Sequence, residues 1–186
     1  FSFRFDGPLD MRMDPTRGEP LAVRLATVSL EDLADVLYGY GDIRRSIGTA
    51  RVVLEAVQAG ADTTAKLAAR LAQRLPRERS HHPATAVFQA LRMWVNDELG
   101  ELNSLLCAAP PLLAPGGALA VISFHSGEDR LVKQAVRELA PKRWGADWRR
   151  PADLAPQPDE LAANPRARSA RLRVLRRAQP EDREDV

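Results

Sequence analysis

Several things are scarce or missing in this sequence of 186 residues, and each narrows what it can be. A single cysteine, Cys107, leaves no disulfide to form within the chain. There are three histidines. His81 and His82 are adjacent and so point apart, and no second pair of His or Cys completes a metal-ligating set. No run of about 18 apolar residues is long enough to span a bilayer as a helix, and no secretory signal pattern is read, so the expectation is a cytoplasmic protein. The glycine pattern of a dinucleotide fold, the phosphate loop of an NTPase and the Gly-x-Ser-x-Gly elbow of a hydrolase are absent, as is any internal repeat. The sequence opens on Phe1, within a patterned segment, and not on Met, so it reads as part of something longer.

What is present is a globular composition, 45% apolar with a formal charge of +2. The positive charge gathers toward the end, where Lys142 to Arg177 hold ten basic residues against four acidic ones. Phe1, Phe3 and Phe5 alternate with polar residues as in a short extended segment. The loop DGPLDMRMDPTRG follows, with turn signals at Gly7-Pro8, Asp14-Pro15 and Gly18. It displays Asp6, Asp10, Arg12 and Asp14 from irregular backbone, where function is commonly carried; the alternative is that its aspartates cap turns.

From Ser29 to Pro76 the apolar spacing is helical. Ser29 with Asp32 marks an N-cap for a helix carrying Leu30, Leu33 and Leu37. The spacing predicts a second helix from Ile43 to Val57, closed by Gly60, and a third capped by Thr63 or Thr64 with Leu67, Leu71 and Leu75 on one face. A long helix is then expected from Ala84 to Cys107, with Gly100 as its weak point. After a Pro-Gly-Gly turn, the apolar run Ala118 to Phe124 reads as a parallel strand buried on both faces. His125, Ser126, Glu128 and Asp129 come at its carboxyl end, where ligands collect in open α/β sheets. His125 and Asp129, one helical turn apart, are a candidate acid/base pair, and Ser126 a candidate cap. A helix is expected from Glu128 to Leu139, a short strand at best at Trp144 to Arg150, and a half-buried edge strand at Ser169 to Arg177.

Five stretches in series resemble one family: FSFRFDGPLDMRMD at Phe1 to Asp14, DLADVLYGYGD at Asp32 to Asp42, HPATAVFQALRMWVNDEL at His82 to Leu99, LLAPGGALAVISFHSGEDRLVK at Leu112 to Lys133, and NPRARSARLRV at Asn164 to Val174. The sequence is similar to the ribosomal RNA small-subunit methyltransferase H family. These enzymes use S-adenosylmethionine to methylate the exocyclic amine of a cytosine in 16S ribosomal RNA. Two departures stand out. Gly127 occupies a position where the family usually has a larger apolar residue, and the helix DIRRSIGTARVVLEAV is less typical than its neighbours.

The resemblance implies an α/β fold: a partial Rossmann-like methyltransferase sheet interrupted by an inserted α-helical domain. The implied organisation is a methyltransferase-fold loop segment at 1–20, an inserted RNA-recognition subdomain at 21–80, the C-terminal part of the methyltransferase fold at 81–178 and a charged tail at 179–186. On this reading Asp10, Arg12, Asp14, His125, Ser126 and Asp129 line the catalytic pocket, while His82, Arg166, Arg168 and Arg171 contact RNA. The family's cofactor motifs are expected upstream of Phe1, so no residue here is assigned to S-adenosylmethionine, and no metal is implied. The implied partners are small-subunit ribosomal RNA or the small ribosomal subunit, with a homodimer allowed and no membrane. The competing expectation is a noncatalytic RNA-binding module. A hydrolase built on His125 and Asp129 lacks a nucleophile or metal set.

Overall fold

The computed structural model describes residues 5–76, 82–138 and 152–179. The chain divides into two compact units, Phe1–Glu98 and Leu99–Val186. Phe1, Phe3, His81, the Trp144–Arg150 segment and the tail past Gln179 lie outside the described residues.

The first unit is helical: α1 Leu21–Thr27, α2 Leu30–Gly41, α3 Ser46–Gln58, α4 Thr64–Arg74 and α5 Ala84–Val95. Local chemistry sets most of their ends. The Asp32 N–H donates to Ser29 Oγ at 3.0 Å, the cap that the spacing predicts, and the Lys66 N–H to Thr63 Oγ1 at 3.4 Å, so Thr63 and not Thr64 is the cap of α4. Past α3, Gly60 takes φ +86°, while the Gly60 and Ala61 N–H groups close on Val57 O and Ala56 O at 3.0 Å. At Gly41 a side chain would meet Ala90 Cβ at 3.1 Å and the Ala86 carbonyl at 3.2 Å, so the missing Cβ is what lets α2 lie close on α5. The periodic leucines form the core: Leu33, Leu37, Leu67, Leu71 and Leu91 are wholly buried together with Leu21, Val53 and Val87. Leu9 and Met11 of the preceding loop join them, each 2% exposed. Pro8 forms an isolated antiparallel bridge with Thr63, which ties that loop to the start of α4.

The long helix expected from Ala84 to Cys107 is two. It breaks at Asn96 and Asp97 and not at Gly100, and α6 runs Glu98–Leu112. Asp97 sits at φ +48°, a left-handed conformation that Asp tolerates better than most residues. Asn96 turns its side-chain amide onto the loop near Met11. A contact across 83 residues of sequence thus ends the helix, which helical periodicity cannot register.

The second unit combines α6 with β1 Ala118–Ser123, α7 Ser126–Glu138, β2 Ala152–Leu154, α8 Pro158–Ala163, a 3₁₀ turn at Pro165–Ser169 and β3 Arg171–Arg176. The described strands form one antiparallel sheet in the order β1-β3-β2. β1 pairs with β3 in the register Leu119↔Leu175, Val121↔Arg173 and Ser123↔Arg171. The architecture is therefore mixed helix and sheet. Two expectations need correction. β1 is not buried on both faces: Leu119, Val121 and Ser123 turn inward, while Ile122 is 59% exposed on the other face. β3 is not an edge strand but the middle of the three. The face carrying Arg173 and Leu175 is the covered one, because Leu175 packs with Leu106, Val132 and Val136 and Arg173 finds carboxylate partners. β2 and α8 fall in a stretch whose sequence shows no period.

Candidate functional site

In the first unit the candidate residues stand on the loop that leads into α1. Its apolar members Leu9 and Met11 point into the core, so the alternate residues Asp10 and Arg12 are turned the other way. The Arg12 guanidinium grips Asp10 at two points, Nε to Oδ1 at 2.6 Å and Nη2 to Oδ2 at 2.9 Å. The Arg12 backbone N–H also donates to Asp10 Oδ1 at 3.2 Å, and Nη1 to the Gly18 carbonyl at 3.2 Å. Met11 between them has φ +60°, a conformation that costs a non-glycine residue energy and survives where its surroundings hold it. Arg12 holds the Asp10 carboxyl below the usual carboxylate range. Asp14 accepts from the Thr16 hydroxyl at 2.6 Å and its N–H at 2.9 Å, bonds that likewise lower it. Asp14 therefore has the turn-capping role weighed against a functional one. Both carboxylates are ionised at neutral pH and act as hydrogen-bond acceptors.

In the second unit the polar residues after β1 are organised differently from the expected acid/base pair. Asp129 does not meet the imidazole of His125; only its backbone N–H reaches the His125 carbonyl, at 3.1 Å. Its carboxylate is gripped by Arg173 at 2.8 and 3.0 Å, which holds it below its ordinary range, and Ser123 Oγ stands 3.5 Å away. Arg173 also meets Asp153 at 3.0 Å, so one guanidinium ties α7, β3 and β2. The neighbour of His125 is Glu128. The Glu128 N–H donates to the imidazole Nδ1 at 3.3 Å, and Glu128 Oε2 accepts the Phe124 N–H at 3.1 Å. This is a reciprocal cap at the start of α7, with an imidazole where a serine or threonine is usual. His125 thus caps α7, and Ser126 is the first residue of the helix.

Because Nδ1 accepts, the neutral ring carries its proton on Nε2. That nitrogen is buried and lies 3.0 Å from Glu128 Oε1 without the angle of a hydrogen bond. For Glu128, burial pushes the carboxyl up, but His125 and the Phe124 N–H outweigh it and leave the group below its ordinary value. Arg173, Asp153 and the capping role of Glu128 were not singled out in the sequence. The alternating SARLRVLRR of Ser169 to Arg177 puts Arg173 on a strand but does not say that its face is covered.

Of the residues expected to meet RNA, Arg166, Arg168 and Arg171 are exposed along the 3₁₀ turn and the start of β3. Asn164 caps that turn through Arg166 N–H at 3.2 Å, and buried Ala167 anchors it. His82 lies in the other unit, exposed, with its Nδ1 accepting the Ala84 N–H at 3.2 Å at the start of α5. The helical unit also holds a cavity of about 690 Å³ with Ile43, Val52, Leu75 and Val87 along its wall and Arg44, Arg45 and Arg74 among its lining residues. Arg44 and Arg45 are exposed, whereas Arg74 is engaged by Glu55 at 3.0 Å.

Among the described residues no three His, Cys, Asp or Glu side chains gather as a metal site. A methyl donor carrying an adenosine would need a tight backbone turn and open N–H groups at the start of a helix. The strand-to-helix junction at Phe124–Glu128 does not fit that need, since the Phe124 and Glu128 N–H groups are spent on Glu128 and His125. No helix of the described residues is long and apolar enough to cross a membrane.

Residues 1–178 match the model of the MraW methylase family. The chain is 49% identical over 95% of its length to ribosomal RNA small subunit methyltransferase H of Sorangium cellulosum, covering 56% of that protein. It is 45% identical to the protein of the same name from Nitrobacter winogradskyi and 48% to that from Halorhodospira halophila, again over 95% of this chain and over 58% and 60% of theirs. The chain thus spans rather more than half the length of these relatives.

Proposed function

The chain belongs to the MraW methylase family, and we propose that it forms the RNA-facing part of an enzyme that methylates the exocyclic amine of a cytosine in small-subunit ribosomal RNA. The observation that carries this reading is the loop at Asp10–Asp14: two ionised carboxylates and a guanidinium displayed from irregular backbone, over two side chains sunk in the core. S-adenosylmethionine would supply the electrophilic methyl group. Residues of the longer protein would hold it, and none described here is assigned to it. The domain organisation proposed with this is an RNA-recognition insert at 21–80 between two parts of a methyltransferase fold, with a parallel Rossmann-like sheet completed beyond the three antiparallel strands.

The amine of a cytosine is a weak nucleophile because its lone pair is delocalised into the ring. The chain's own residues would therefore act by holding the base and accepting hydrogen bonds from the amine, which favours the conformer poised for attack. Asp10 and Asp14 are the acceptors proposed for this, with Arg12 fixing Asp10 and facing the base's carbonyl side. His125, Ser126 and Asp129 would shape the end of β1, Asp129 through Arg173 and not as a base. A base within folded RNA is reached by splaying the nucleotide out, and Arg166, Arg168, Arg171 and His82 are proposed to hold the flanking backbone. Arg44 and Arg45, exposed at the cavity of the helical unit, are proposed as a further basic patch of that unit. The small ribosomal subunit, and a second copy of the chain, are the partners proposed for the complete protein in the cytoplasm.

The test is nucleoside analysis of small-subunit RNA treated with the complete protein and isotopically labelled methyl donor. Label on the exocyclic nitrogen of cytidine is expected. Label on a ring carbon or a ribose hydroxyl would refute the amine specificity. The noncatalytic reading predicts RNA binding with no transferred label. Replacing Arg168 by Ala should shallow the salt dependence of binding, and an unchanged slope would remove that arginine from the RNA contacts.

A further inference from the structure

The loop proposed to face the base is held by one side chain distant in sequence. Asn96 Oδ1 accepts the Met13 N–H at 2.7 Å, and Asn96 Nδ2 donates to the Met11 carbonyl at 2.8 Å. The same Nδ2 donates to Arg92 O at 2.8 Å, which fixes the amide to the last turn of α5. The backbone groups it holds are those on either side of Arg12. Met11 stands in a left-handed conformation, so this part of the loop keeps its course where outside bonds impose it.

Asn96 is itself braced. α5 ends at Val95, Asp97 turns left-handed, and Arg92 closes over the break onto Glu98 with two bonds of 2.7 and 2.8 Å. Both partners are largely covered, with side chains 34% and 15% exposed. Arg24 adds a bond to the Trp94 carbonyl at 2.9 Å and lies over the Trp94 ring. These contacts keep the helix end rigid, and a rigid end is what lets an amide set the course of a loop.

We infer that Asn96 is a positioning residue for methyl transfer: its carboxamide fixes the Met11–Met13 backbone and so sets where Asp10, Arg12 and Asp14 stand relative to the target base. An amide is the side chain this task requires, because it must accept from one backbone group and donate to another at once. Aspartate keeps the acceptor and loses the donor. Alanine loses both. The inference rests on the reading of the loop as a wall of the cytosine pocket, and the experiment separates the two.

In the complete protein, Asn96→Asp and Asn96→Ala are compared with wild type in single-turnover methyl transfer at saturating RNA and methyl donor, and in amide exchange at Arg12 and Met13. The expected result is a rate lower by about 100-fold, the scale of an ångström-level misplacement of reacting groups. RNA and methyl-donor affinities should stay within about threefold of wild type, and exchange at Met13 should quicken in Asn96→Ala. Unchanged protection of both amides, in both variants, overturns the positioning role whatever the activity does. Faster exchange with full methyl transfer keeps Asn96 as the loop's clamp and overturns the placement of the loop at the reacting base. If Asn96→Ala does not fold, Asn96→Asp decides, since it keeps the volume and the acceptor at Met13; a wild-type rate in that variant with an altered loop refutes the inference.

Discussion

Two carboxylate–guanidinium pairs, one in each unit, have nearly the same geometry and very different consequences. Asp10 and Arg12 meet at 2.6 and 2.9 Å, and Asp129 and Arg173 at 2.8 and 3.0 Å. The first joins residues two apart, so it restrains almost nothing the chain has not already restrained. The second joins α7 to β3 across 44 residues and continues to β2 through Asp153. In the helical unit stability resides in a broad apolar core, to which the loop pair adds little. In the sheet unit the described core is small, Leu106, Val132, Val136 and Leu175 with partly buried neighbours, and the ion network does a larger share of the holding.

That contrast sets the order of expected effects. Leu91→Ala, at a wholly buried position of α5, should cost about 2–5 kcal/mol in denaturant unfolding, whereas Ile122→Ala on the open face of β1 should cost less than about 0.5 kcal/mol. Comparable losses at both sites would break the distinction. Next is Arg173→Met, which strands Asp129 and Asp153. A cost of about 1–2 kcal/mol is expected, the lower end reflecting the water that reaches both carboxylates. No change would mean that the network is a surface ornament.

The pH dependence follows from the same pair. Arg173 lowers the folded-state pKa of Asp129, so the stability it contributes is complete above about pH 4, the unfolded value, and is lost as pH falls through the folded one. Asp129→Asn should flatten that acid limb in unfolding curves below about pH 4. A small effect of the opposite sign is expected at Gly127. A Cβ there would lie 3.4 Å from His125 Nδ1, ordinary contact, so Gly127→Ala should stabilise α7 by up to about 1 kcal/mol in the same assay.

What could be read from the sequence was what is local. Ser29 announces its cap because donor and acceptor lie three residues apart, the second cap is narrowed to Thr63 or Thr64, and the leucines of α2 and α4 announce a core because their spacing repeats. The resemblance found in five short stretches agrees with the family match over nearly the whole chain. What could not be read was what a distant partner decides. The spacing of Asp129 from His125 suggests a pair, but Arg173 takes the carboxylate and the imidazole caps α7 instead. The break at Asn96 is invisible in the apolar stripe because a loop 83 residues earlier causes it. The exposed face of β1 is hidden from the sequence for a related reason: a continuous apolar run says that a strand can be buried on both sides, not that it is.

The Asp10–Arg12 pair is proposed to serve recognition and not stability. This is tested by Arg12→Met in the complete protein, with the unfolding midpoint and the single-turnover rate of methyl transfer to small-subunit RNA measured on the same preparation. The account predicts an unchanged midpoint and a rate lower by about 100-fold or more. A lowered midpoint with a wild-type rate would show that the pair belongs to the fold, and would contradict it.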